Sequence, residues 1–141
     1  MIPGAFDYYA PRSLDDAVKY LSAHKDDVKI LSGGQSLLPL MKMRLSKPGY
    51  VLDIGRIAGL DGITEEGNNL IIGALVTHAQ IEDSDLLKKK CPLLPQTATT
   101  IADVQVRNRG TLGDSIAHGS NSRFPSKDRW CGCCLAKNIP A

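Results

Sequence analysis

The chain has 141 residues, enough for one ordinary domain or two very small ones; 43% of them are hydrophobic, 23% are charged, and the formal net charge is +2. Its longest apolar stretch, Leu70–Val76, is far shorter than the ~20 residues that a membrane-spanning helix needs, and no basic segment followed by an apolar one opens the chain. We therefore expect no membrane span, no secretory signal and a cytoplasmic location.

Charge and cysteine are unevenly distributed along the chain. Residues 119–141 hold four basic residues and one acidic residue, together with three of the four cysteines and Trp130. Residues 1–118 hold 13 basic and 14 acidic residues, so this body is nearly neutral. Its basic run, Lys88–Lys90, is typical of a solvated helix end, and we expect no nucleic-acid partner.

The first half of the chain alternates predicted helices and strands. Ser13 is placed to cap a helix over 14–23, in which apolar residues recur at helical spacing. Short apolar segments predict strands over 28–31 and 50–54. A helix is predicted over 37–44, and Pro39 is compatible with it because this proline falls in the first turn. This pattern indicates a small α/β layer over residues 1–58.

The second half has a different pattern. Segments 62–64 and 70–74 flank a turn-rich connection and predict a hairpin. Short helices are predicted from Thr77 to Ile81 and over 85–90 and 91–101. We expect the polar, glycine-punctuated segment 107–113 not to form regular helix. The predicted fold class is thus α/β plus α+β, with a second unit over 59–118 and a boundary around residues 57–61.

The strongest local signal follows the second predicted strand and consists of Ser32, Gly33, Gly34, Gln35 and Ser36. Adjacent glycines allow a sharp turn and a close approach of another group, and amides in such a loop can bind a phosphate or diphosphate. The loop lacks both the Walker A pattern and the G-x-G-x-x-G pattern of dinucleotide-binding folds. A plain turn with Ser36 as N-cap and no ligand remains an alternative.

A second polar, glycine-containing segment consists of Thr111, Leu112, Gly113, Asp114 and Ser115. Together with the first loop it would suit a ligand with two phosphates. Two other interpretations stay open. Ser115 could be a hydrolase nucleophile with a histidine as its base, or the attachment serine of a carrier protein.

The other residues that could carry chemistry give weaker signals. Arg107 and Arg109 either add positive charge near the second segment or are simply solvated. The three histidines lack a second ligand at metal spacing and are interpreted as surface or capping residues: His24, His78 and His118. The cysteines 131, 133 and 134 lack a companion pair for zinc, so we expect no metal site. Cys91 is interpreted as a small buried apolar residue.

Four segments, in order along residues 2–118, resemble the FAD-binding (medium) subunit of molybdenum hydroxylases, the group of carbon monoxide dehydrogenase and xanthine dehydrogenase. The segments are 11–17, 33–42, 72–78 and 106–113. The resemblance implies a two-lobed FAD-binding domain of the molybdenum-hydroxylase flavoprotein type, truncated in the second lobe. It also implies that Ser32–Ser36 supply amides to one phosphate region of FAD and that Thr111–Ser115 serve the other.

The resemblance implies a component of an oxidoreductase rather than a complete enzyme. Substrate would react at a molybdenum cofactor in a large subunit, and electrons would pass through iron–sulfur clusters of a small subunit to FAD and then to an external acceptor. No side chain of this segment would act as a general acid or base. The alternative is a folded fragment or small α/β binding module that no longer binds FAD.

Two departures from the family pattern bear on these expectations. Asp114 stands where the family has a second glycine, and its carboxylate would repel a phosphate by ~1 kcal/mol at roughly 4 Å in water, which would weaken FAD binding. After His118 the family continues with an Ala-Asp-Pro-type segment, which this chain lacks. Codons can be chosen for residues 119–126 such that a shift of one base in the reading frame gives a segment of that type. We therefore expect residues 119–141 to be a frameshifted tail without an evolved role, with about half of the subunit missing.

Overall fold

The computed structural model describes residues 2–25 and 27–118. Within these ranges the chain divides into two compact units, the first ending at Gly59 and the second beginning at Leu60. The first contains a parallel sheet with two helices, and the second contains a hairpin followed by five helices. This mixture of helix and strand agrees with the expected fold class. The assignment of the units as two FAD-binding lobes stays a prediction, and the predicted tail, residues 119–141, lies outside the described residues.

The sheet of the first unit consists of three parallel strands, β1 (Asp7–Tyr9), β2 (Val28–Leu31) and β3 (Tyr50–Asp53), in the order β1-β3-β2. Parallel neighbours need crossover connections, which helices α1 (Leu14–Ala23) and α2 (Leu37–Lys42) supply. The sequence predicted β2 and β3 but not β1. All three residues of β1 are exposed, so it carries no alternation of apolar and polar residues that would have indicated a strand.

The helices of the first unit begin where the sequence predicted. The side chain of Ser13 accepts a hydrogen bond from the amide of Asp16, which confirms Ser13 as the N-cap of α1. α2 ends at Lys42, two residues earlier than predicted, and Arg44 then adopts a positive φ of 58°. A left-handed residue cannot continue a right-handed helix, so the apolar spacing overestimated the length of α2.

The central strand β3 positions the core of this unit. Val51 and Leu52 are both almost fully buried, although consecutive strand residues point to opposite faces of a sheet. Val51 belongs to a cluster with Leu37 and Met41 of α2. On the α1 side, Tyr20 contacts the rings of Tyr9 and Tyr50 with centroid distances of 4.6 and 6.3 Å. The helices therefore fix the sheet and the loops that leave its carboxyl edge.

The second unit begins with an antiparallel hairpin of β4 (Ile63–Glu66) and β5 (Asn69–Ile72), which confirms the predicted hairpin. Gly67 in its turn has a φ of 60°, a conformation that glycine adopts without steric cost. Five helices follow, with the bounds α3 (His78–Asp83), α4 (Asp85–Lys90), α5 (Leu93–Thr99), α6 (Val104–Arg109) and α7 (Leu112–His118). Helices α3, α4, α5 and α7 contribute residues to one apolar core cluster, and partly buried residues of the hairpin pack against it.

Local capping signals explain most of these helix starts. Thr77 forms a complete capping box with Gln80 at the start of α3, as its sequence position indicated. The expectation that segment 107–113 avoids regular helix is wrong, because α6 covers its first part and α7 begins within it. The side chain of Asp103 caps α6 by accepting from the amide of Val106 at 2.8 Å. Asp103 is a strong N-cap residue, and this signal in the sequence was missed.

Candidate cofactor-binding site

The Ser32–Ser36 loop connects the carboxyl end of β2 to α2. Gly34 is buried and has a φ of 76°, and an added Cβ would lie 3.0 Å from Leu38 Cδ1, so the Leu38 side chain would have to shift. Ser36 occupies the N-cap position of α2, as the alternative of a plain turn expected, but its side chain makes no capping hydrogen bond. The positive φ of Gly34 therefore favours glycine in this turn.

The amides of this loop are the chemically distinctive feature of the first unit. Within residues 2–25 and 27–118, no acceptor of the protein takes the backbone N–H groups of Gly33, Gly34, Gln35 or Ser36. Nearly all backbone donors in folded proteins are paired, with the protein itself, with water or with a ligand. Four consecutive donors in a glycine-containing turn suit an anion, and a diphosphate offers several acceptor oxygens.

Asp53 lies next to this loop, and the sequence analysis did not single it out. It pairs in register with Leu31, the last residue before the loop, and the amide of Ile54 donates to Leu31 O at 3.0 Å. The Asp53 carboxylate accepts from the Tyr8 hydroxyl at 2.5 Å and from the Gly55 amide at 2.8 Å. The hydrogen bond to Asp53 raises the pKa of Tyr8 above its usual value. These bonds fix the carboxyl edge of the sheet beside the glycine loop.

The Thr111–Ser115 segment is organised differently from the first loop. Thr111 forms an isolated antiparallel bridge with Thr77, and α7 begins at the next residue. The amides of Leu112 and Gly113 donate to Val76 O and Ala74 O, both at 2.9 Å. Further along, the amide of Asp114 donates to Thr111 Oγ1 and that of Ser115 to Thr111 O, both at 3.3 Å. The amides of 112–115 are thus hydrogen-bonded within the second unit.

Gly113 has a packing role that the sequence did not reveal. A Cβ at this position would lie 2.7 Å from Ala74 O and 2.9 Å from Ala74 Cβ, closer than real Cβ atoms approach. The backbone of α7 therefore lies directly against residues 74–76, which connect β5 to α3. Gly113 brings Asp114 and Ser115 to their positions through this contact.

His78 is buried, with 2% of its surface exposed, so its interpretation as a surface or capping residue is wrong. Its Nε2 lies 3.1 Å from Ser115 Oγ, and its backbone amide donates to Gly110 O at 3.0 Å. Burial lowers the pKa of His78, and the negative charge of Asp114 acts in the opposite direction. Asp114 is itself buried, with 7% of its surface exposed. The structure thus brings together His78, Asp114 and Ser115, which the sequence treated separately.

This arrangement bears on the two other interpretations of Ser115. A serine within hydrogen-bonding distance of a histidine meets one requirement of a hydrolase, but acyl transfer also needs donors for the oxyanion. The amides of Gly113, Asp114 and Ser115 already donate within the unit. Attachment of a carrier group needs a protruding serine, whereas Ser115 is half-buried in a helix against His78. Both interpretations are therefore disfavoured.

The remaining candidates have structural roles. The Arg107 side chain, 13% exposed, pairs with Glu82 Oε2 at 2.9 Å and donates to Ile101 O at 3.1 Å, so it supplies no unpaired charge to a phosphate. Arg109 is exposed. Cys91 packs against the core cluster of the second unit, which agrees with an apolar role, but it is half-buried rather than buried as expected.

His24 occupies the predicted capping position, at the C-terminus of α1, whereas nothing is described of the His118 side chain. The cysteines 131, 133 and 134 lie outside the described residues. Over 2–25 and 27–118, no group of three His, Cys, Asp or Glu side chains could hold a metal ion. No helix in the same ranges has the length and hydrophobicity to cross a membrane.

Comparison with known proteins identifies the family of this chain. Residues 4–126 match the family described as the FAD binding domain in molybdopterin dehydrogenase. The chain belongs to this family. The match confirms the resemblance to the FAD-binding subunit of molybdenum hydroxylases, and FAD as the cofactor of this type of domain.

Individual relatives show the extent of the similarity. The chain is 48% identical over 119 residues to the carbon monoxide dehydrogenase medium chain of Hydrogenophaga pseudoflava, covering 84% of this chain and 42% of that protein. It is 42% identical over 118 residues to caffeine dehydrogenase subunit beta of Pseudomonas sp. strain CBB1, covering 84% of this chain and 40% of that protein. These relatives are subunits of oxidoreductases, and the chain spans less than half of their length.

A solved structure agrees with the fold. The carbon monoxide dehydrogenase from Hydrogenophaga pseudoflava that lacks the Mo-pyranopterin moiety of its molybdenum cofactor matches with a TM-score of 0.82 and 48% identity. That match covers 84% of this chain and 42% of the other chain. The architecture described above is therefore similar to that of the aligned part of this carbon monoxide dehydrogenase chain.

Proposed function

We propose that this chain is the FAD-binding part of the medium subunit of a molybdenum-containing hydroxylase or dehydrogenase. Its role is to hold FAD while electrons pass from iron–sulfur clusters through the flavin to an external acceptor. Its partners are an iron–sulfur small subunit and a large subunit with the molybdenum cofactor, and its compartment is the cytoplasm. The observation that carries the proposal is the set of amides at Gly33–Ser36, available to an anionic ligand in a family of FAD-binding domains.

The donor set of the first loop fits the diphosphate of FAD. Amides of Ser32–Ser36 would bind phosphate oxygens, and Gly34 has the left-handed conformation that is typical of anion-binding backbone turns. FAD, when bound, supplies the one-electron and two-electron redox chemistry. The residues of this chain have the separate task of binding and orienting it.

The second segment is assigned to the same cofactor. We assign Thr111–Ser115 to the other phosphate region of FAD, and the match to a family of FAD-binding domains, which includes these residues, supports this assignment. The Asp114 carboxylate opposes this binding, since a nearby phosphate carries charge of the same sign. The chain is therefore expected to bind FAD more weakly than a variant without that charge.

We propose that substrate choice lies outside this chain. Proteins named for carbon monoxide and for caffeine share 48% and 42% identity with the same segment, although these molecules have little chemistry in common. Because both relatives share this segment although they are named for such different molecules, we infer that the segment has a task common to both proteins. We propose that this common task is flavin binding.

The test is a titration of the purified full chain with FAD, followed by quenching of flavin fluorescence. We expect saturable quenching by the wild-type chain and about tenfold weaker binding by Gly34→Ala, which strains the loop and disturbs its amides. Gly59→Ala is the matched control, because Gly59 also has a positive φ of 83° but has open space around it. Both variants carry similar backbone strain, so only the loop variant should lose affinity.

Two results would contradict the proposal. A wild-type chain that neither quenches added FAD nor retains flavin absorbance would instead support the alternative of a folded module without cofactor. Equal losses of affinity in Gly34→Ala and Gly59→Ala would show that strain, rather than the loop amides, determines FAD binding.

A further inference from the structure

The carboxylate of Asp53 lies at the same edge of the first unit's sheet as the amides of Gly33–Ser36. Asp53 is the last residue of β3 and pairs in register with Leu31, the residue before the glycine loop. Neighbouring strands lie ~4.8 Å apart, so this negative charge lies within roughly 10 Å of the start of the loop. A carboxylate is itself an anion of the kind that such amides bind. It is therefore able to repel a diphosphate at the loop or to compete with it.

The hydrogen bonds of Asp53 direct its carboxylate away from the loop. Asp53 Oδ1 accepts from the Gly55 amide at 2.8 Å, and Asp53 Oδ2 accepts from the Tyr8 hydroxyl at 2.5 Å. Tyr8 belongs to β1, and the strand order β1-β3-β2 places β1 on the opposite side of β3 from β2 and its loop. The two donors that hold the carboxylate therefore belong to β1 and to the segment after β3, and not to the loop.

The Tyr8 hydroxyl is the donor that orients Asp53 from a distant part of the chain. The Gly55 amide is two residues from Asp53, whereas Tyr8 is 45 residues away. Without this hydroxyl, Oδ2 loses a strong charge-assisted bond, and the carboxylate is able to turn towards other donors. We propose that Tyr8 is a positioning residue for FAD binding, whose hydroxyl holds the Asp53 carboxylate on the β1 side and keeps the amides of Gly33–Ser36 available to the diphosphate. This role rests on the FAD-binding function proposed above.

A double-mutant cycle in the full chain tests the proposal by fluorescence titration with FAD. Asp53→Asn should bind FAD about threefold more tightly, because it removes one charge at roughly 10 Å from the two charges of the diphosphate. Tyr8→Phe should bind FAD at least about threefold more weakly, because the released carboxylate is able to approach the same site. The double variant should bind FAD like Asp53→Asn, since no charge is left for the tyrosine to hold.

Two controls separate this role from a general effect on the fold. Tyr9→Phe removes the neighbouring hydroxyl of β1 and keeps the ring that stacks on Tyr20 at 4.6 Å, so it should leave FAD affinity unchanged. The ratio between the affinities of the wild-type chain and of Tyr8→Phe should shrink at about 1 M salt, where the Debye length is ~3 Å. A ratio that does not change with salt would overturn the proposal.

A purely structural role for the bond between Tyr8 and Asp53 predicts a different pattern. Both single variants would then weaken FAD binding, because each alters the same contact between β1 and β3, and this result would overturn the proposal. Unchanged affinity of Tyr8→Phe, or an equal loss from Tyr8→Phe in the wild-type and Asp53→Asn backgrounds, would overturn it too. Each of these results, in a wild-type chain that binds FAD, leaves the proposed function intact. A wild-type chain without FAD binding would refute the proposed function and this role together.

The titration of Tyr8 gives a readout of the hydrogen bond that does not depend on FAD. The hydrogen bond to Asp53 raises the pKa of Tyr8 above its usual value. Carbon-13 NMR of the tyrosine-labelled chain, with the Tyr8 signal assigned by Tyr8→Phe, measures this pKa. We expect the pKa of Tyr8 to fall towards its usual value in Asp53→Asn. An unchanged pKa would show that the hydroxyl does not donate to Asp53 and would overturn the proposal.

Discussion

Replacing Gly113 with alanine is predicted to destabilise the second unit, although alanine is the better helix former. An added Cβ would lie 2.7 Å from Ala74 O, 2.9 Å from Ala74 Cβ and 3.1 Å from Ala74 Cα. None of these atoms can rotate away, so α7 would have to shift and stretch the 2.9 Å bond from the Gly113 amide to Ala74 O. The structure therefore places this glycine at a contact between two backbones.

The expected magnitude follows from two opposing effects. Overpacking against fixed atoms costs up to about 3 kcal/mol, and the higher helix propensity of alanine returns ~1 kcal/mol. The net loss should be about 2 kcal/mol, which corresponds to a fall in Tm of roughly 8–16 °C for a unit of this size. Urea and thermal unfolding followed by circular dichroism measure both quantities.

Gly62→Ala is the control for this prediction. Gly62 lies in the same unit, has no atom within 4 Å of an added Cβ, and does not have a positive φ. Its replacement should change the free energy of unfolding by less than about 0.5 kcal/mol. Gly113→Ala with wild-type or higher stability would refute the reasoning, since helix propensity would then outweigh the contact with Ala74.

Three further predictions concern charged and titratable groups of the second unit. Asp114→Asn should tighten FAD binding about fivefold in a fluorescence titration, because it removes the repulsion of one charge; unchanged or weaker binding would contradict this. Folding lowers the pKa of His78, so below pH ~6.5 this histidine is protonated more in the unfolded chain than in the folded chain. The free energy of unfolding should therefore fall as the pH drops from 7 to 5. Urea unfolding of His78→Gln should show a smaller fall, and an identical pH profile would exclude His78 as its source. Arg107→Leu should cost about 2–3 kcal/mol by leaving its partners unpaired, whereas Arg109→Leu, at an exposed position, should cost under ~0.5 kcal/mol in the same assay.

Local signals were sufficient to predict much of the fold. Ser13 and Thr77 cap helices through contacts with residues three positions later, so a short window of sequence contains the whole signal. By contrast, β1 depends on pairing with β3, in which Asp7 lies opposite Tyr50. Its three exposed residues carry no pattern of their own, and only the distant strand makes them a strand.

In the candidate site too, local features were predictable from the sequence and long-range contacts were not. The glycine loop at Ser32–Ser36 was identified from its own residues, and the structure adds that the amides of Gly33–Ser36 have no acceptor among the described residues. The helical start of Thr111–Ser115 was not predicted, because it depends on the bridge from Thr111 to Thr77 and on acceptors at residues 74 and 76. The burial of His78 follows from the same long-range pairing.

The central claim is that the chain binds FAD through its diphosphate. The most direct measurement compares the affinities of the purified full chain for FAD and for riboflavin, which has the same flavin ring but no phosphate. Because the amides of Gly33–Ser36 are assigned to the diphosphate, FAD should bind at least about tenfold more tightly than riboflavin. Equal affinities, or no binding of either flavin, would contradict the account.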